Sequence, residues 1–172
     1  MANPRKILCV DCEHDNGYLR EIGLVELDLV TLETCRFSSW LVWDNMRKGK
    51  APKKKDISLP HWFTKLTGIT NEEYQLNALP LSDVANTIKN VYGAKAWYAW
   101  GDDDVLLSKV MPGTFINYAL IRAHIKNPGE NVGIMTQLPE SITKNLHAHR
   151  ALDDAMALAI LVSLDYAAIR SL

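Results

Sequence analysis

The sequence has little of what would place it outside the ordinary globular proteins. Its three cysteines, Cys9, Cys12 and Cys35, are an odd number and too few for a disulfide framework, so a reducing, cytoplasmic setting is the expectation. It has no run of roughly 20 apolar residues, the length a membrane span needs. The most apolar stretch, Ala155–Ile169, is broken by Ser163 and Asp165 and reads as a buried helix, so no membrane partner is expected. The opening residues MANPRKILCVD carry too short an apolar run for a secretory signal. An excess of one charge is missing too. With a net charge of −1, attraction to a polyanion must be local or come through metal ions. No internal repeat, low-complexity tract or interdomain linker is visible, and 172 residues suit a single domain spanning 1–172.

What is present is alternation followed by helical period. Lys6–Glu13 reads as a buried strand that runs into acids, and Arg20–Asp28 and Cys35–Trp43 as two further strands. The three could form an antiparallel meander. Cys9 and Cys12 make a C-x-x-C, but on a strand an odd separation points them to opposite faces, which favours core packing over a metal site. Asp44–Ser58 breaks the pattern as an exposed loop. From Leu59 the period is helical, with a helix start at Asn71-Glu-Glu73, and with Val84, Ile88 and Val91 on one face after Ser82. Ala96–Trp100 and Thr114–Asn117 are short strands, each followed by a helical segment; Asn127–Asn131 is a loop, and the last helix begins near Arg150. Three strands, then alternating helices and strands, predict an α/β domain with a mixed sheet, whose strand ends are where ligands gather.

Three groups of residues stand out chemically. Asp11 and Glu13 lie two apart on one strand, so both project to one face, where a divalent cation would relieve their repulsion. A solvated strand end explains the same pair. Asp102, Asp103 and Asp104 precede an apolar helix, where one acid suffices to cap free N–H groups. His149 and Asp154 are five residues apart, about 140° around a helix, so they share a site only if His149 lies on the loop entering that helix. A surface His–Asp pair is the plainer reading.

In order and approximate spacing, Asp11-Cys-Glu13, Gly101-Asp-Asp-Asp104 and His149-Arg-Ala-Leu-Asp-Asp154 resemble the three motifs of the DEDDh 3′→5′ exonucleases. Glu21-Ile-Gly-Leu-Val25 and Leu66-Thr-Gly-Ile-Thr70 match as well, and the style is that of the branch trimming small RNAs and histone messages. The matches span residues 7 to about 160. The resemblance implies a ribonuclease H-like fold with a mixed five-stranded sheet flanked by helices. It also implies hydrolysis with two ions, Mg²⁺ or Mn²⁺, held by Asp11, Glu13, Asp104 and Asp154, with His149 taking the proton from the attacking water. The catalytic set would be Asp11, Glu13, Asp104, His149 and Asp154, and the partner the 3′ end of a single-stranded nucleic acid. Leu66, Thr67, Gly68 and Ile69 would line the pocket for the terminal nucleotide. Members of this family are often dimers, so a homodimer is compatible with the resemblance.

Arg47, Lys48, Lys50, Lys53, Lys54 and Lys55 concentrate positive charge beside this set, and a solvated loop and strand guidance are both open readings. Trp62 and Phe63 suit either the core or stacking on bases. His14 and Asp15 depart from the family pattern and put polar bulk where a terminal sugar would sit. A nucleic-acid-binding module of the same fold without catalysis is the alternative, and an unrelated α/β protein whose acids are caps is the third.

Overall fold

The computed structural model describes residues 5–46, 53–93, 96–111, 113–126 and 133–170. Arg47, Lys48 and Lys50 of the basic loop, and the loop at 127–131, lie outside the described residues. Strands β1 (Lys6–Asp15), β2 (Tyr18–Asp28) and β3 (Glu33–Trp43) form the expected antiparallel meander. The β1–β2 turn is Asn16-Gly17, with φ of 49° and 74°, the pair of left-handed residues that a tight hairpin needs. Strands β5 (Ala96–Ala99) and β6 (Thr114–Asn117) add in parallel on the other side of β1.

The sheet has six strands in the order β4-β3-β2-β1-β5-β6, one more than expected. The addition is β4 (Leu79–Pro80), two residues pairing in parallel with the end of β3. So short a strand shows no alternation, and Pro80, having no N–H to donate, fits only at an edge.

The helices are α1 (His61–Thr67), α2 (Asn71–Asn77), α3 (Leu81–Tyr92), α4 (Asp103–Leu107), α5 (Tyr118–Lys126), α6 (Glu140–Thr143) and α7 (Ala151–Arg170). They cover both faces of the sheet, and β1 shows how. Ile7 and Cys9 pack into one core cluster with α7, while Leu8, Val10 and Cys12 enter the other with Leu81, Val84 and Ile88 of α3. The C-x-x-C is therefore split across the sheet, and all three cysteines are free thiols. On α3, Val91 departs from the expected face and is 48% exposed. Tyr92 takes the buried position instead, its ring in the core and its hydroxyl 2.8 Å from Ser38 Oγ. No helix among the described residues is long and apolar enough to cross a membrane.

Helix α7 sets the geometry of the site. Its buried residues include Ala151, Ala155, Ala157 and Ala159, small enough to bring the helix backbone close to β1 and β2. The nearest approach is at Gly23 of β2, where a Cβ would stand 2.1 Å from the carbonyl oxygen of Ala151. Hydrogen cannot be replaced there without moving the helix.

Candidate active site

Because odd-numbered residues of β1 face α7, Asp11 and Glu13 continue the row begun by Ile7 and Cys9 and meet the first turns of that helix. His147, Ala148 and His149 form the approach to α7. Asp154 Oδ2 accepts from the His149 amide at 2.8 Å, and Asp153 Oδ2 from the His147 amide at 3.0 Å. The two adjacent aspartates thus differ in place. Asp153 closes the outer turn, whereas Asp154 turns inward and is buried. His149 has φ of 63°, a left-handed backbone that bends the chain just before the helix. The loop-then-helix arrangement brings one ligand atom each of Glu13, His149 and Asp154 within 4.8 Å of one another.

Packing acids together in a partly dry site makes each reluctant to ionise. Burial, then the Asp154 and Glu21 carboxylates, push Glu13 up to about 8. Burial pushes Asp154 up to about 6, against the His149 amide that stabilises its charge. Asp11 is held well above the usual carboxylate range by burial and by Asp103, Asp154 and Glu13. The cluster keeps protons that a cation would displace.

Of the three acids after Gly101, the one that meets Asp11 is Asp103. Burial raises its affinity for a proton as well, and the closeness of the Asp103 carboxyl helps to hold Asp11 up. The Cys12 thiol also donates to Asp103 Oδ1, at 3.2 Å. Asp102 is exposed at the start of α4. Asp104, the acid named by the resemblance, has a buried Oδ1 without a hydrogen-bond partner among the described residues. Such an oxygen points to an ion or water that completes it. The carboxylate oxygens of Glu13 and Asp154 and an imidazole nitrogen of His149 form a donor set that fits a hard divalent cation.

Next to His149 opens a cavity of about 780 Å³, lined by Lys65, Leu66, Thr67 and Gly68 on one side and by His147, Ala148 and Arg150 on the other. Leu66 is half-exposed into this region, while Thr67 is buried, donating to Phe63 O at 2.9 Å and accepting from the Ile69 amide at 3.1 Å. Gly68 ends α1 in the left-handed conformation, with nothing within 4 Å of where a Cβ would be. Its requirement is φ, not close approach. Ile69 is fully buried in the core with Phe63 and Tyr74, away from the cavity lining. Trp62 is 52% exposed one turn before Leu66, whereas Phe63 is core.

The lysines are less concerted than their spacing suggests. Lys54 Nζ donates to Leu76 O at 3.4 Å, tying it to the end of α2, while Lys53 and Lys55 are exposed. Asp15 turns away from the site as well, buried and paired with Arg20 at 3.4 Å. That moves one source of the expected polar bulk, leaving exposed His14.

Two residues carry parts that their sequence context did not announce. Glu21, buried in β2, accepts from Arg150 and from the Ala151 amide, and Gly23 admits the helix. Both lie in the Glu21-Ile-Gly23 segment, which is legible as a match but silent about what it holds.

No family model matches the chain, and no curated protein matches it significantly. Solved structures do. A 3′-exonuclease in 3′-end-specific recognition of a histone mRNA stem-loop superposes with a TM-score of 0.66 at 15% identity, covering 95% of this chain and 82% of that one. Exonuclease X, in complex with 5′-overhanging duplex DNA, gives 0.67 at 19% identity, covering 96% and 93%. The nuclease domain of 3′hExo, a DEDDh family member bound to rAMP, gives 0.54 at 18%, covering 93% and 90%. The chain shares the ribonuclease H-like fold of these exonucleases.

Proposed function

We propose that the protein is a metal-dependent 3′→5′ exonuclease that releases nucleoside 5′-monophosphates from single-stranded ends. The observation that carries this reading is the convergence of Glu13, His149 and Asp154 from a strand, a loop and a helix onto one point. Asp11 shares their electrostatic neighbourhood. Acids serving only as caps or surface charge have no reason to meet in a partly buried cluster.

In this reading Asp11, Glu13 and Asp154 hold divalent cations, Mg²⁺ or Mn²⁺, with Asp104 completing the set through its unpartnered oxygen. Bound there, such ions supply Lewis acidity at the phosphate and a water of lowered pKa. His149 accepts the proton of the attacking water at an imidazole nitrogen, a base suited to neutral pH. The cavity between Leu66–Gly68 and Arg150 receives the terminal nucleotide, its mixed walls matching a base on one side and phosphate oxygens on the other. Lys53 and Lys55 are free to guide the strand; Ile69 supports the pocket from behind rather than touching substrate.

The test is hydrolysis of 5′-labelled single-stranded RNA and DNA of equal sequence with Mg²⁺ or Mn²⁺. A ladder descending by single nucleotides, abolished by EDTA, is expected. His149→Ala should lower kcat by about 10²- to 10⁴-fold while sparing the fold and cation binding. No shortening of either polymer at enzyme excess overturns the proposal; retained binding of 3′ ends would then favour a binding module.

A further inference from the structure

Glu21 takes no part in the chemistry just described, yet it is a buried carboxylate, 1% exposed, directly beneath the catalytic turn. Its Oε2 accepts from the Ala151 amide at 3.0 Å. Its Oε1 accepts from Arg150 Nε at 3.3 Å, from Arg150 Nη2 at 3.1 Å, and from Ser39 Oγ of β3 at 3.2 Å. A polar side chain buried this deeply persists only with partners this complete.

The placement of these partners gives Glu21 a particular role. His149 holds a left-handed φ of 63°, which a side-chain-bearing residue keeps only where its surroundings fix it. Asp153 and Asp154 restrain the turn from within its own segment. Glu21 restrains it from the sheet. In the β1–β2 register Glu21 stands opposite Glu13, so a tether from Glu21 to Arg150 and Ala151 fixes the turn against the strand that carries Glu13. We propose that Glu21 is a positioning residue for His149: through Arg150 and the Ala151 amide it sets the distance from the imidazole to Glu13 and Asp154. The inference rests on His149 being the proton acceptor of the proposed function. Ser39 holds the carboxylate in the orientation that makes both contacts. Arg150 in turn reaches Glu73 of α2 at 3.8 Å, joining the turn to the helices beyond the cavity.

The test compares Glu21→Ala and Glu21→Gln with the wild-type protein. Three readouts are needed: kcat and KM on a labelled oligonucleotide, Mn²⁺ binding by calorimetry, and the His149 imidazole signal in ¹H–¹³C spectra, assigned with His149→Ala. Glu21→Ala should lower kcat by about 10- to 100-fold, the range for losing a residue that orients a reacting group. Glu21 and Arg150 also line the cavity, so a change in KM reports that wall and the His149 signal decides the positioning role. The imidazole signal should move toward that of a free histidine while Mn²⁺ binding holds. Glu21→Gln keeps an oxygen for the Ala151 amide and the side-chain volume, and should recover part of the rate. A Glu21→Ala kcat within about twofold of wild type, or an unmoved His149 signal, overturns the proposal. If Glu21→Ala does not fold, the same readouts on Glu21→Gln decide, a small kcat loss with a displaced signal being expected. Should wild-type protein lack hydrolysis while Glu21→Ala still displaces the signal, the proposed function fails and the tether stands; an unmoved signal removes the tether whatever the activity.

Discussion

Asp103 and Asp104 are adjacent but have different surroundings, and the difference can be weighed. Asp103 already accepts from the Cys12 thiol and lies beside the Asp11 carboxyl. Asp104 has a buried oxygen with none among the described residues. Burying an oxygen without a partner is unfavourable unless something completes it, and in the proposed function that is a cation, directly or through its water. Asp104→Asn should therefore weaken Mn²⁺ binding by about tenfold or more, the range for losing a residue around a metal site. Asp103→Asn should cost less, since an amide oxygen can still accept from the Cys12 thiol while removing a charge that repels Asp11. Calorimetric Mn²⁺ titration of the two variants checks this; the reverse order would make Asp103 the ligand. Sequence spacing alone leaves the triplet open, because all three acids can cap α4 and only contacts distinguish them. For the pair at Asp153 and Asp154, the five-residue separation from His149 carries more, and the structure turns Asp154 into the cluster.

Among the elements, α7 and β2 are where packing and site meet. Gly23 and Gly68 both stand beside functional residues, but for different reasons. At Gly23 a Cβ would overlap the backbone of Ala151 and Leu152, at 2.1 and 2.3 Å, and helix backbone cannot swing aside as a side chain can. At Gly68 the space is open, and only the φ of 74° resists substitution. Gly23→Ala should cost at least about 3 kcal/mol, the upper end for overpacked interiors, and displace His149 with the helix. Gly68→Ala should cost about 1 kcal/mol from backbone strain alone. Thermal or urea unfolding of both, with hydrolysis of each, measures the contrast; equal losses would contradict it. The glycine of Glu21-Ile-Gly23 is visible in sequence, but its use is not, since the helix it admits is some 130 residues away. The same limit applies across the fold. β1, β2 and β3 are legible from runs of eight or nine residues with apolar character, and α7 from a long apolar helix whose start near Arg150 leaves His149 on the entering loop. β4 and α6, two and four residues long, carry no period to read. The motif places Ile69 at the pocket, whereas its burial depends on α1 ending at Gly68 and turning the chain into the core.

At the scale of the whole molecule the balance of charge conceals a strong local imbalance. Acids and bases nearly cancel over the chain, yet Asp11, Glu13, Asp103 and Asp154 crowd one end of the sheet. The folded protein without cations therefore binds protons that the unfolded chain has released. Glu13 titrates at about 8 when folded against 4.5 when unfolded, and Asp154 at about 6 against 3.8. A carboxyl whose folded value is raised favours the fold at low pH, and its contribution is lost as pH rises from the unfolded value through the folded one. Asp28 shifts the other way, but below 3.8, and Lys6 shifts above 10.5, so neither opposes the trend between. In EDTA the midpoint of thermal unfolding should fall as pH rises from about 5 to 8. Divalent cation should reverse the slope, because it binds the ionised acids and does so more tightly as protons leave. The gap between the curves with Mn²⁺ and with EDTA should thus widen with pH. A metal-free midpoint that is flat or rising over this window would mean that the acids do not form the charge-strained cluster on which the proposed chemistry depends.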